Sequence, residues 1–281
     1  MKAKIRYREP KRLLHPAAGF LQGYSHTLNP YVGCAYGCSY CYVRQMPVSL
    51  FHAEAWGDWV DVKRGAAALL KKEIANARKK GFVTLFMSSS TDPYQPVEHK
   101  ERVTRSLLEA MTEEMPDFLF IQTRSPLIKR DIDLLQQLEG RVLVSITIET
   151  DDDDMRRTFT PKAPPIAARI KALEALKQAG IMTQAAVAPI LPSSDAFPER
   201  LRGKVHRICI DDFYQGDGSG GKRTERLQIR NLYPAELAEK WLSRTAYQNV
   251  MARFERVFGK HAVFMSKAGF LPPKHLLTHG D

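Results

Sequence analysis

Runs of strand-forming residues alternate with helical patterns from Phe82 to Ile210, and this alternation restricts the available folds more than any other feature of the 281-residue chain. Phe82-Val83-Thr84-Leu85-Phe86-Met87 reads as a buried strand and Glu98 to Glu114 as a helix. Asp117 to Thr123 is a strand, Arg130 to Leu138 a helix and Val142 to Ile148 a strand. Pro164 to Ala179 is a long helix opened by prolines and stopped by Gly180. The strand Ile181 to Ile190, a short helix near Phe197 to Leu201 and the strand Val205 to Ile210 complete the series. Upstream, Asp61 to Lys80 carries Ala67, Leu70, Ile74 and Ala77 on one helical face and ends at Gly81. With a first strand near Tyr24 to Leu28 this gives about six β–α units. Such alternation argues an α/β protein with a parallel sheet and right-handed crossovers. Periodicity does not say whether that sheet is flat or curled. Pro234 to Phe258 reads as one more helix, closing an edge or the bottom of the sheet with Leu237, Trp241, Val250, Phe254 and Val257.

Three of the four cysteines crowd into Cys34-Ala35-Tyr36-Gly37-Cys38-Ser39-Tyr40-Cys41, spaced C-x3-C-x2-C with an aromatic before the third. Three thiolates fall one short of the four that usually hold a cubane iron–sulfur cluster, which leaves one iron open to an outside ligand. Zinc is the alternative reading, but structural zinc takes four Cys or His ligands, often in paired knuckles. Here Cys209 lies far downstream, and His26 and His52 have no partner at zinc spacing. A disulfide framework is weaker still, since so few cysteines crowded so closely suit a reducing compartment.

The C-x3-C-x2-C spacing resembles the signature of the radical S-adenosylmethionine enzymes. Further residues narrow the resemblance to its spore photoproduct lyase-like branch. They are Asn29-Pro30-Tyr31 before the cysteines, Cys38-Ser39-Tyr40-Cys41-Tyr42, the turn Ser89-Ser90-Thr91-Asp92-Pro93, the strand end Thr123-Arg124-Ser125 and Ala188-Pro189-Ile190-Leu191-Pro192. The likeness covers about residues 24–215. It implies a partial (β/α)6 TIM-type barrel with an extra C-terminal helix, in a single domain over 1–281 whose helical extension occupies about 232–281. It also implies two cofactors, a [4Fe–4S] cluster on Cys34, Cys38 and Cys41 and S-adenosylmethionine on the open iron, with function at the C-terminal ends of the strands. Reductive cleavage of the cofactor would then give a 5′-deoxyadenosyl radical, with a low-potential flavodoxin- or ferredoxin-type protein as electron donor.

The strand ends supply the remaining candidates. Ser89, Ser90 and Thr91 could take the cofactor's amino group, and Arg124 its carboxylate through a charge-assisted bond. Ser145, Thr147 and Glu149 put polar groups on one strand face, where ribose hydroxyls would give them partners. Val187, with Ala188 and Ile190, could wall the adenine. Tyr40 and Tyr42 match tyrosines that assist catalysis in the lyase, and Tyr40 could also lie against the adenine. A turn, a surface ion pair and ordinary core packing would explain the same residues without a ligand. The lyase's hydrogen-donor cysteine sits near the serine-rich turn, and here that segment is Ser88-Ser89-Ser90. A serine O–H is a poor donor to a carbon radical, so conversion of spore photoproduct itself is not expected. Cys209, ending the sixth strand, reads either as a hydrogen donor or as core packing.

A net charge of +11 brings a polyanionic partner such as nucleic acid into view, although the charge is widely spread and Lys71, Lys72, Arg78, Lys79 and Lys80 read as a solvated helix face. No run of roughly eighteen apolar residues is present, and Met1-Lys2-Ala3-Lys4-Ile5-Arg6 lacks the apolar core of a signal peptide, which predicts a cytoplasmic protein without a membrane partner. A nucleic-acid-binding or regulatory protein with a structural iron–sulfur cluster is the alternative function. Gly216-Asp217-Gly218-Ser219-Gly220-Gly221 reads as a mobile loop, since a phosphate cradle would want a Gly-Lys-Ser/Thr ending with a helix directly behind it. The acidic run Asp151 to Asp154 reads as a solvated loop.

Overall fold

The computed structural model describes residues 3–138 and 140–274. Its strands, in chain order, are β1 (Lys4–Arg8), β2 (Leu14–Pro16), β3 (His26–Leu28), β4 (Tyr31–Val32), β5 (Trp59–Lys63), β6 (Thr84–Met87), β7 (Phe118–Thr123), β8 (Val142–Thr147), β9 (Met182–Val187), β10 (Arg207–Ile210) and β11 (Val263–Met265). The main sheet has the order β11-β10-β9-β8-β7-β6-β3-β2, parallel throughout except for β2.

The order never reverses. A doubly wound sheet turns back part-way. Here each successive parallel strand is added on the same side, so right-handed crossovers place their helices on one face only. Leu85, Met87, Leu119, Ile121, Val144 and Ile146 meet those helices, and burying each such side chain stabilises the fold by about 1.5–3 kcal/mol. The alternate residues Phe86, Phe118, Phe120, Leu143 and Cys209 pack on one another across the inner face. This is a mixed α/β fold consistent with a partial TIM-type barrel. Among the described residues the sheet is not closed by hydrogen bonds; Phe20, beside β2, and Phe270, past β11, meet instead with ring centroids 5.8 Å apart.

Several expected elements change. Asp61, Val62 and Lys63 belong to β5, which pairs with β1 and β4 in a second, three-stranded sheet, so the helix starts only at Ala66 and runs to Arg78. The helix expected over 98–114 is two, Glu98–Glu101 and Val103–Glu113, because the Glu98 carboxylate turns back to accept from the amides of Thr104 (2.9 Å) and Arg105 (3.3 Å). Pro234 to Phe258 also divides, into Ala235–Trp241 and Ala246–Phe258, where Tyr214 Oη claims the Leu242 carbonyl at 2.7 Å. β11 was not foreseen; the rest of the expected extension, 275–281, lies outside the described residues. Asp152 is a helix cap, its Oδ1 accepting from Asp154 N at 2.7 Å to open Asp153–Phe159, so the acidic run is not simply a loop. The glycine segment is organised around Asp217. That carboxylate accepts from the amides of Ser219 (2.7 Å), Gly221 (3.1 Å), Arg223 (3.1 Å) and Thr224 (3.2 Å), and the helix Lys222–Arg226 follows at once. An internal carboxylate fills the place an anion would take.

Candidate active site

The cysteine loop leaves β4 and is pressed against β5 and the segment before it. Gly33 (φ 81°) leaves no room for a Cβ, which would come within 2.6 Å of the Trp59 carbonyl, and at Gly37 (φ 55°) one would meet Gly57 Cα at 2.9 Å. Gln95, fully buried, clamps the loop at both ends of its amide, accepting from Ala35 N at 2.8 Å and donating to the Gly33 carbonyl at 3.2 Å. Thr91 Oγ1 donates to the same carbonyl at 2.5 Å, and Arg44 donates to the carbonyls of Gly37 (2.6 Å) and Cys38 (2.8 Å). Asn29 ties on the serine-rich turn, donating to Ser89 Oγ at 3.2 Å and accepting from Ser90 N at 3.1 Å. Tyr42 Oη donates to the Ser89 carbonyl.

Cys34, Cys38 and Cys41 line a cavity of about 710 Å³ at the C-terminal ends of the strands. A buried charge network stands beside it. Glu149, 1% exposed, accepts from Arg169 Nη1 at 2.7 Å, Arg124 Nη1 at 2.9 Å and Tyr40 Oη at 2.7 Å. Burial pushes this carboxyl up, but Arg169 and Arg124 overrule it and hold it at about 2. One carboxylate thus faces two guanidinium groups, while Asp92, Asp211, Asp212 and Asp217 line the cavity itself. Among the described residues, every hydrogen bond from the Arg124 guanidinium leaves through Nη1. Asp92, at the turn after β6, accepts from Thr123 Oγ1 (2.6 Å) and Arg124 N (2.8 Å), which fixes the end of β7 that carries Arg124.

The structure brings most of the predicted residues together. Tyr40, Tyr42, Ser89, Ser90, Thr91, Arg124 and Thr147 line the cavity with the three cysteines, and Glu149 stands behind Tyr40 and Arg124. Arg124 is in a buried ion pair rather than a surface one. Three residues are not brought there. Ser145 lies deeper on the inner face, fully buried and bonded to Gln184 Nε2 at 3.0 Å. Val187 turns to the helix side of the sheet, since alternation along β9 aims it opposite to Gln184 and Ala186. Cys209 does face inward, but it is fully buried under Gly269 and the Phe270 cluster, with its Sγ 3.6 Å from the Ser266 carbonyl, and does not reach the cavity. Gln95, Gln122 and Arg169 were missed. An arginine or glutamine gives no local sign of burial; only the prolines before Ile166–Gln178, whose carbonyl at Pro164 holds Arg169 Nε at 2.9 Å, hinted at a constrained helix start.

The donor set fits a cluster. All three thiols are free. Burial pushes each of them up, Cys41 to about 11, and the neighbouring cysteines add to this for Cys34 and Cys41. Three adjacent thiolates therefore need a strong positive charge at the same spot, which iron provides. A profile of the Radical SAM superfamily matches residues 28–193, more than half of the chain. The chain belongs to the radical SAM superfamily. Radical SAM proteins use a [4Fe–4S] cluster and S-adenosylmethionine, and Cys34, Cys38 and Cys41 are the residues here that would hold the cluster.

Among its relatives, an uncharacterized protein of Methanocaldococcus jannaschii is 34% identical over 172 residues, 61% of this chain and 62% of that one. An uncharacterized protein of Acidianus two-tailed virus is 34% identical over 185 residues, 63% and 58% of the two chains. The match thus spans about three fifths of either relative. Among solved structures, spore photoproduct lyase complexed with dinucleoside spore photoproduct superposes with a TM-score of 0.65 at 12% identity, over 93% of this chain and 81% of that one. A variant of that lyase with bound AdoMet and dinucleoside spore photoproduct gives 0.60 at 14% identity, with the same coverage. At these identities the likeness concerns the fold. Among the described residues no helix is long and apolar enough to cross a membrane.

Proposed function

We infer that this radical SAM protein is an enzyme that reductively cleaves S-adenosylmethionine and applies the radical to a substrate held in the same cavity. The observation that carries this reading is the meeting of the three-cysteine loop with the Tyr40–Glu149–Arg124 network on one cavity wall. When bound there, the cluster and S-adenosylmethionine supply a 5′-deoxyadenosyl radical. The chain's own residues bind, aim and shield. Arg124 lines the cavity and offers guanidinium N–H groups, which suit a carboxylate. Glu149 holds Arg124 and Tyr40 at fixed angles, and fully buried Arg169 holds Glu149 in turn. Tyr42 and the Ser89–Thr91 turn tie the cysteine loop to the end of β6, which would hold the cluster ligands against the cofactor side of the cavity.

A lyase-like reaction on a nucleic acid is the substrate class we favour, supported by the net charge of +11 and by the fold shared with a lyase complexed with a dinucleoside. Serine at the turn, where the lyase has its donor cysteine, argues for a substrate other than spore photoproduct. The partner this chemistry needs is a low-potential reductant of flavodoxin or ferredoxin type, in the cytoplasm. The test is anaerobic incubation of cluster-loaded protein with dithionite and S-adenosylmethionine, followed by deuterium transfer from labelled oligonucleotides into 5′-deoxyadenosine. No 5′-deoxyadenosine with a full cluster would refute the enzyme reading in favour of a structural cluster; 5′-deoxyadenosine free of oligonucleotide deuterium would refute the substrate class. Arg124→Ala should keep the cluster and weaken cofactor binding by about 1.5–3 kcal/mol, the worth of a charged hydrogen bond.

A further inference from the structure

Two polar atoms at the cavity are buried without a partner, and both adjoin the aromatic floor of the inner sheet face. Gln122, on β7, donates Nε2 to Thr147 Oγ1 at 2.7 Å, while its Oε1 is buried and unpaired. Ser88, one residue past β6, is 5% exposed, and its Oγ is likewise buried and unpaired. Ser88 also sits in the left-handed region, at φ 75°, which a non-glycine residue adopts at a cost. Both residues line the cavity.

Tyr24 Oη, packed in the same inner-face cluster, is also buried without a partner. Gln184 donates to Ser145 Oγ at 3.0 Å and accepts from Arg207 Nε at 2.7 Å. Of the three unpaired residues Gln122 and Ser88 line the cavity and Tyr24 does not, and a buried acceptor left unpaired is costly unless something supplies its donor. Next to them the Phe86 and Phe120 rings stack with centroids 4.9 Å apart, and Phe270 tilts over both.

We propose that Gln122 and Ser88 are the recognition end of a substrate subsite that takes a planar, largely apolar group donating a hydrogen bond through an N–H or O–H. The proposal rests on the cavity being the substrate cavity of a radical enzyme. Phe20, Phe86 and Phe270, which line the cavity, supply contact area with a preferred geometry. Gln122 Oε1 supplies direction, because its amide is already anchored on Thr147. Ser88, one residue past β6, lines the same cavity. A ligand of the same shape without the donor would leave the Gln122 acceptor buried and unpaired, so discrimination follows from the cost of that orphan.

Indole and 1-methylindole test this, since they share a planar apolar ring and differ in the N–H donor. Binding is measured by calorimetric titration into anaerobic, cluster-loaded protein without reductant. Indole should bind about tenfold more tightly than 1-methylindole, the discrimination expected of one buried hydrogen bond. The preference should vanish in Gln122→Leu and shrink in Ser88→Gly, where glycine accepts the positive φ while removing the hydroxyl. No indole binding, equal affinities in the wild type, or a preference that survives both substitutions would overturn the subsite. If Gln122→Leu fails to fold, the wild-type comparison and Ser88→Gly still decide. 5′-Deoxyadenosine formation is followed in parallel: its absence refutes the enzyme reading, whereas its presence without indole discrimination refutes only the subsite.

Discussion

Replacing Glu149 by Gln should be among the most damaging single changes in this protein that leave its shape intact. The glutamine keeps an acceptor for Tyr40 but removes the charge facing Arg169, which is fully buried, and Arg124. The Glu149 carboxyl falls from an ordinary 4.5 to about 2 on folding, and at about 1.36 kcal/mol per unit this is worth about 3 kcal/mol at neutral pH. Removing one partner of a buried pair typically costs about 3–5 kcal/mol, because the remaining charge is left without compensation. Urea unfolding of cluster-free protein at pH 7 should therefore show Glu149→Gln less stable by about 3–5 kcal/mol. The folded value lies below the unfolded one, so this stability is fully present above pH 4.5 and is lost as the pH falls through about 2. The gap between wild type and variant should narrow over that window. A double variant, Glu149→Gln with Arg169→Leu, should recover much of the loss, since no buried charge then stands alone. A gap under about 1 kcal/mol at pH 7, or one that stays constant from pH 5 to pH 2.5, would refute the assignment of Glu149 as the ionised centre of the site.

Cys38→Ala should abolish the brown absorbance and cofactor cleavage together, and full iron loading in that variant would remove Cys38 from the cluster. Gly37→Ala should also lower iron loading, because the new Cβ meets Gly57 Cα at 2.9 Å in a backbone at φ 55°; normal loading would show that the loop can shift away from Gly57. Cys209→Ala should lower stability by about 1–2 kcal/mol through lost packing and leave 5′-deoxyadenosine yield and product ratio unchanged. A changed product ratio would restore Cys209 as a hydrogen donor.

Local signals carried a large part of this protein. The alternation between Phe82 and Ile210 rests on apolar periodicity, and each strand and helix it marks in that range is present, with ends trimmed by a few residues or, at Glu98, interrupted by a returning carboxylate. The cysteine spacing was legible because three thiols in eight positions have few other uses, and the turn after β6 because Ser-Thr-Asp-Pro is turn chemistry in any context. The second sheet was not legible. β1 is largely exposed and polar, and β4 has two residues; neither carries the alternation that announces a half-buried strand, and both exist because β5 lies between them. Only tertiary structure decided which way Val187 and Cys209 point, because a shift of one residue exchanges the two faces of a strand. Only tertiary structure could bury Arg169 beside Glu149 or place Gln95 across the cysteine loop: a polar residue in sequence reads as solvated, and its burial depends on a partner about twenty or sixty residues away.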